Sequence, residues 1–133
     1  MALGHLGVNV EDLEAAKTYY GALMPLVGYE QFVDDRDQFA FCPAGGKPGT
    51  YLFFYSASEA GAYSRKRVGL QHLAFMVRSR STVHDVHGLA VRLGCEVLHE
   101  PQFFPQYPPP YFATFWLDPC GLMLEAVCHY DRD

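Results

Sequence analysis

The chain lacks any long apolar run: nothing in its 133 residues approaches the roughly 20 consecutive apolar positions of a membrane-spanning helix, so no membrane partner is expected. Its first residues show neither the basic nor the apolar region of a secretory signal, and the expected location is cytoplasmic. Cysteine is sparse. Cys42, Cys95, Cys120 and Cys128 form no CxxC pair, which excludes zinc-ribbon and redox motifs and predicts reduced, mostly buried thiols. Positive charge is also short, because 10 Lys and Arg against 15 Asp and Glu leave a net −5, and no nucleic-acid partner is expected. The basic run Arg65-Lys66-Arg67, with Arg78 and Arg80 nearby, reads as a solvated linker. From Leu93 to Tyr130 there is no Lys or Arg.

What the chain does have is an internal repeat. His5-Leu-Gly-Val-Asn-Val and His72-Leu-Ala-Phe-Met-Val open alike, 67 positions apart (72 − 5). Val27-Gly28-Tyr29-Glu30 matches Leu93-Gly94-Cys95-Glu96 at an offset of 66, and Gly49 to Phe53 matches Gly121 to Glu125 at an offset of 72. The drift calls for a few inserted loop residues. Two halves of this size would be marginal alone, so the expectation is one domain over residues 1–133 built from two modules, 1–66 and 67–133.

Period-two alternation over His5 to Val10 predicts a strand with Leu6, Val8 and Val10 on one face and His5 on the other. Asp12 offers an N-cap to a helix whose inward positions are Leu13, Ala16, Tyr20, Leu23, Met24 and Val27, with a kink or early end at Pro25 and a stop at Gly28. Strands are predicted near Tyr29 to Val33, Gln38 to Cys42 and Thr50 to Ser56. The second module repeats the order: a strand over Gln71 to Val77, a helix over Thr82 to Leu93 with Val83, Val86, Ala90 and Leu93 inward, then strands near Glu96 to His99, Phe112 to Leu117 and Leu122 to Cys128. Between them, Pro101 to Tyr111 contains Pro105 and Pro108-Pro109-Pro110, which predicts an extended, unpaired loop. Its aromatics suit a pocket wall, a flap over the core or a dimer contact.

The same alternation turns His5 and His72 away from the helices. In the last strand it places Leu122, Leu124 and Ala126 on the helix side, which leaves Glu125 facing the same way as the two histidines. Two His and one carboxylate are a metal-site composition. Glu125 between Leu124 and Ala126 would be a costly buried charge without a cation or donor. His84, His87 and His129 read as surface or hydrogen-bonded core residues.

The His5-Leu-Gly-Val-Asn-Val-Glu-Asp-Leu phrase, the Tyr19-Tyr20 pair, Gly28-Tyr29, His72-Leu-Ala-Phe and the run Tyr111 to Val127 with Asp118-Pro119-Cys-Gly121 and Glu125 together resemble the vicinal oxygen chelate superfamily. That superfamily includes glyoxalase I, bleomycin-resistance proteins, fosfomycin-resistance enzymes and extradiol dioxygenases. The resemblance covers essentially the whole chain and implies an α+β fold, with two βαβββ modules forming a cupped mixed β-sheet and the helices on its outer face. It implies a divalent metal on His5, His72 and Glu125, with Fe(II) first and Zn, Mn or Ni as other choices. A homodimer is also expected, in which the modules pair within a chain or swap between chains.

The family's fourth ligand position falls on Phe53, which cannot bind a metal. This moves the expectation from a four-ligand glyoxalase I towards the three-ligand, open site of non-haem Fe(II) oxygenases. The missing Lys and Arg disfavour a phosphonate substrate. The expected activity is a dioxygenase-like reaction on an apolar or aromatic small molecule chelated through adjacent oxygens, with Tyr51, Phe53, Tyr55, Phe104 and Tyr107 lining the pocket. His99 and Tyr111 are the candidates for acid, base or supporting roles, although His99 is also placed as a turn residue ending a strand. The alternatives are a glyoxalase I-like lyase and a metal-free, bleomycin-resistance-type binding dimer.

Overall fold

The structure is a computed structural model that describes residues 3–133. The chain divides into two compact units, Met1–Ala62 and Tyr63–Asp133. Among the described residues no helix is long and apolar enough to cross a membrane.

The first unit contains β1 (His5–Val10), α1 (Leu13–Leu23), a 3-10 turn (Met24–Val27), β2 (Tyr29–Asp34), β3 (Gln38–Pro43) and β4 (Tyr51–Ser56). Its sheet runs β1-β4-β3-β2, with β1 and β4 parallel and the other pairs antiparallel. Asp12 caps α1 as expected, accepting from the Ala15 N–H at 3.1 Å. Pro25 enters the 3-10 turn at its start, where its missing N–H costs nothing, and Gly28 closes it at φ 87°. All six expected helix-side residues are buried, and Tyr19 joins them. The core between helix and sheet is aromatic: Phe54 stacks on Phe39 at 4.7 Å and meets Tyr20 at 4.3 Å.

The second unit repeats the plan with β5 (His72–Val77), α2 (Arg80–Arg92), β6 (Val97–Phe103), β7 (Phe112–Leu117) and β8 (Met123–Cys128), in the sheet order β5-β8-β7-β6. Each module thus completes its own four-stranded mixed sheet. Helix α2 starts at Arg80 rather than Thr82, because the Ser79 hydroxyl accepts from the Thr82 N–H at 3.3 Å and caps it there. Val83, Val86 and Ala90 are buried, but Leu93 is 48% exposed and Leu89 is buried in its place. The helix has ended at Arg92, so Leu93 no longer follows its period.

Two further expectations change. Of the four thiols only Cys128 is buried, the others being half-buried, and none of the four is in a disulfide. Strand β6 continues through Pro101 to Phe103 instead of stopping at His99. It can do so because β6 is an edge strand and its register slips on both sides of His99, so Pro101 falls in an irregular stretch where no ladder bond is lost.

The Asp118-Pro119-Cys120-Gly121 segment is a structural turn. Buried Asp118 accepts from the N–H groups of Cys120 at 2.8 Å and Leu122 at 2.9 Å through one carboxylate oxygen. Gly121 takes the left-handed φ of 91° that closes it. The turn delivers the chain into β8 in the register that carries Glu125.

Candidate functional site

Strand registers place the chemistry-bearing residues. In the second unit His72 pairs with Met123, and Ala74 with Glu125. In the first, His5 pairs with Tyr51, and Gly7 with Phe53. The two parallel pairs have the same register, so Phe53 occupies in its module the position that Glu125 occupies in the other. One position holds a carboxylate and its counterpart a phenyl ring.

In the second unit β7 presents Phe112, Thr114 and Trp116 beside Cys128, Ala126 and Leu124, which is the helix side. The opposite face carries Ala113 and Phe115 beside Val127 and Glu125. There Phe104, Ala113, Phe115 and Val127 form a second small core, with Leu98, Tyr111 and Met123 packed on it. The loop from Phe104 to Tyr111 folds over this face, closed at its neck by the Phe104 N–H donating to the Tyr111 carbonyl at 3.0 Å.

Under the loop lies a cavity of about 410 Å³, lined by Gln71, His72, His99, Phe104, Gln106, Tyr107, Tyr111, Phe115, Met123 and Glu125. The site candidates expected in this unit, His72, His99, Phe104, Tyr107, Tyr111 and Glu125, are all in that lining. Gln71, Gln106 and Phe115 had no signal of their own. None of the lining residues is a Lys or Arg.

Glu125 is 1% exposed, a buried carboxylate among apolar neighbours. Its Oε2 accepts from the Tyr111 hydroxyl at 2.5 Å, and its Oε1 stands 3.3 Å from His72 Nε2. On the other edge of the imidazole, His72 Nδ1 lies 2.9 Å from Gln71 Oε1. An amide oxygen only accepts, so Nδ1 carries the proton, and a neutral His72 turns the Nε2 lone pair towards a carboxylate oxygen. Two electron-rich atoms that close are reconciled only by a proton or a cation. Imidazole nitrogen and carboxylate oxygen are also a donor set that divalent metals accept. These two residues therefore fit a metal ion, with Gln71 fixing the tautomer of one and Tyr111 the orientation of the other. Burial and the neighbouring Glu125 carboxylate push the Tyr111 phenol well above its ordinary range, so it stays a hydrogen-bond donor.

His99 lies inside β6 rather than at its end. Val97 pairs with Trp116 on the helix face, and simple alternation would put His99 there too. The register shift between them turns His99 to pair with Phe115, and its ring meets Phe115 at 5.5 Å and Phe104 at 5.6 Å, edge to face. A bulge has aimed this imidazole into the cavity.

In the first unit His5 is exposed and packs its ring against Phe53 at 5.5 Å. Phe53 stacks on Tyr55 at 6.3 Å, and Tyr55 lies across Gly7, where a Cβ would come within 3.2 Å of its ring. A register shift in β2 lifts Phe32 onto Tyr51 and Phe53, at 5.1 Å and 6.2 Å, with 52% of it exposed. Phe32 joins the expected aromatics Tyr51, Phe53 and Tyr55, and only the bulge reveals it.

The remaining histidines lie elsewhere. His84 touches Phe112 on the helix side at 5.4 Å, and His87 has a buried Nδ1 without a hydrogen bond. His129 is exposed and bonded to the Pro110 carbonyl at 3.2 Å.

No protein-family model matches the chain. It is 28% identical over 126 residues to the uncharacterized Bacillus subtilis protein YqjT, covering 92% of this chain and 95% of that one. Among solved structures, a candidate glyoxalase from Bacillus halodurans has a TM-score of 0.81 at 28% identity, covering 95% and 94% of the two chains. A glyoxalase/bleomycin resistance protein from Albidiferax ferrireducens has a TM-score of 0.78 at 19% identity, covering 96% and 98%. A lactoylglutathione lyase from Agrobacterium tumefaciens has a TM-score of 0.64 at 19% identity, covering 96% and 92%. At 19% the last two speak for the fold alone. The chain is an α+β protein of two βαβββ modules with the fold of glyoxalase/bleomycin resistance proteins, and its 28% likeness to the Bacillus halodurans protein is consistent with the vicinal oxygen chelate superfamily.

Proposed function

We propose that this protein is a divalent-metal-dependent enzyme acting on a small apolar or aromatic molecule with two adjacent oxygens. His72 and Glu125 are two of the metal ligands, and His5, at the equivalent strand position of the first unit, is the third. The observation that carries this reading is the juxtaposition of the buried Glu125 carboxylate and the His72 Nε2 lone pair at 3.3 Å. Among the described residues no group of three or more His, Cys, Asp or Glu is gathered to hold a metal ion, so the His72–Glu125 pair alone carries the reading.

A divalent ion bound there, with Fe(II) the first choice, would supply Lewis acidity to the two substrate oxygens. The chain's own residues do the rest. Phe104, Phe115 and Tyr107 offer ring faces to a planar substrate and exclude water, and Gln106 offers a neutral hydrogen-bonding amide. His99 is the proposed group to take or return a proton, a reading supported by its position in the cavity lining and its ring contacts. Without a lining cation, the cavity favours an uncharged ligand over a phosphonate or a polycarboxylate. The reaction proposed first is dioxygenase-like, and a glyoxalase I-like isomerisation is second.

A third reading, a metal-free binding protein, is favoured by the exposed ring of Phe32 over Tyr51 and Phe53, which suits stacking on a planar ligand. Here the His72 and Glu125 side chains would hold each other in place of a metal. Metal analysis of anaerobically purified protein separates the readings. A stoichiometric divalent ion in the wild type that is lost in His72→Ala and Glu125→Ala supports the enzyme; its absence from the wild type overturns it. Oxygen uptake over a catechol panel and turnover of a glutathione hemithioacetal then decide between the two reactions.

A further inference from the structure

Tyr111 reaches Glu125 from the end of a proline-rich loop, and a loop tyrosine needs an anchor if its hydroxyl is to stay on one carboxylate oxygen. His129 supplies one. It directly follows β8, the strand that carries Glu125. Its Nδ1 is 3.2 Å from the Pro110 carbonyl oxygen, and because a carbonyl only accepts, Nδ1–H donates. Its ring stands edge-on to the Tyr111 ring, with centroids 5.0 Å apart and planes at 79°. One side chain rooted in the Glu125 strand therefore grips both the peptide oxygen just before Tyr111 and the Tyr111 ring. From another side Tyr107 packs on Tyr111 at 4.8 Å, which leaves the phenol little freedom.

We propose that His129 is a positioning residue of the site: it holds the Tyr111 hydroxyl on Glu125 Oε2 and thereby sets how Oε1 is presented beside His72. The line of contacts is continuous, from His129 to Tyr111, from Tyr111 to Glu125 and from Glu125 to His72. His129 itself takes no part in the chemistry. Its consequence for metal binding rests on the function proposed above, whereas its consequence for the Tyr111–Glu125 contact does not.

The test has two arms on the full chain. In the first, Co(II) is titrated by its absorbance. His129→Ala is expected to bind it about 10-fold more weakly, the scale at which groups supporting metal ligands act. His129→Asn, whose amide N–H can also reach the Pro110 carbonyl, should recover part of that loss. In the Tyr111→Phe background, His129→Ala should cost nothing more, because the hydroxyl it positions is gone. An equal loss in that background overturns the proposal, since the effect would then not run through Tyr111. In the second arm, NMR of the metal-free, isotope-labelled protein follows the Tyr111 ring and Glu125 carboxylate signals, assigned with Tyr111→Phe. Both should move in His129→Ala, and unmoved signals overturn the proposal. Failure of the wild type to bind Co(II) sinks the metal reading alone, and the second arm still decides the role of His129.

Discussion

Replacing Tyr111 with Phe removes one oxygen atom and, with it, the donor to the most deeply buried carboxylate near the cavity. Glu125 is 1% exposed and its Oε2 takes the Tyr111 hydroxyl at 2.5 Å, a short O–H···O⁻ bond of the kind that charge strengthens. Hydrogen bonds to charged groups contribute about 1.5–3 kcal/mol. The cavity of about 410 Å³ borders both residues, so water can reach the vacated position and offset part of the loss. The expected destabilisation near neutral pH is therefore about 1.5–2 kcal/mol, read from urea unfolding. The pH dependence has a definite sign. The phenol is held protonated above its ordinary value of about 10, so the folded state binds more protons than the unfolded one in alkali. Its stabilising contribution is complete below that pH and is lost as pH rises through the folded value. The stability gap between wild type and Tyr111→Phe should hence be largest below about pH 10 and shrink above it. A variant within about 0.5 kcal/mol of wild type near neutral pH would refute the argument, as would a gap that stays constant into alkali.

Other positions can be tested in the same way. Asp118→Ala leaves the Cys120 and Leu122 N–H groups without their acceptor in a buried turn, and a loss of about 2–3 kcal/mol in urea unfolding is expected. Phe54→Ala empties a fully buried site between Tyr20 and Phe39, which should cost about 3–5 kcal/mol; a cost under about 1 kcal/mol would contradict the packing described. Gly28→Ala meets no neighbouring atom within 4 Å, so only its φ of 87° opposes it, and a loss of about 1–2 kcal/mol in thermal or urea unfolding measures that backbone term alone.

The sites of agreement and disagreement between sequence and structure have a common physical basis. His5, Leu6, Val8 and Val10 could be assigned to faces from alternation because β1 pairs without interruption against β4. The same holds for Glu125 on β8. His99 and Phe32 could not, since each sits at a register shift, and one extra residue flips every face assignment beyond it. The unpaired loop expected from Pro101 begins only after Phe103, because an edge strand such as β6 tolerates a proline that a central strand would not. Leu93 was placed inward because its apolar character continued a helical period past the point where the helix ended.

Sequence alone determined the duplicated plan, the elements of each module and the two residues, His72 and Glu125, on which the candidate chemistry rests. Those follow from short-range periodicity and from a repeat that aligns Phe53 of one module with Glu125 of the other in sequence. Only the tertiary structure decided what surrounds them. Gln71 sets the proton on His72, Tyr111 donates to Glu125, His129 anchors Tyr111, and a bulge brings in His99. These contacts join loops and strand edges, where no periodicity constrains which way a side chain faces.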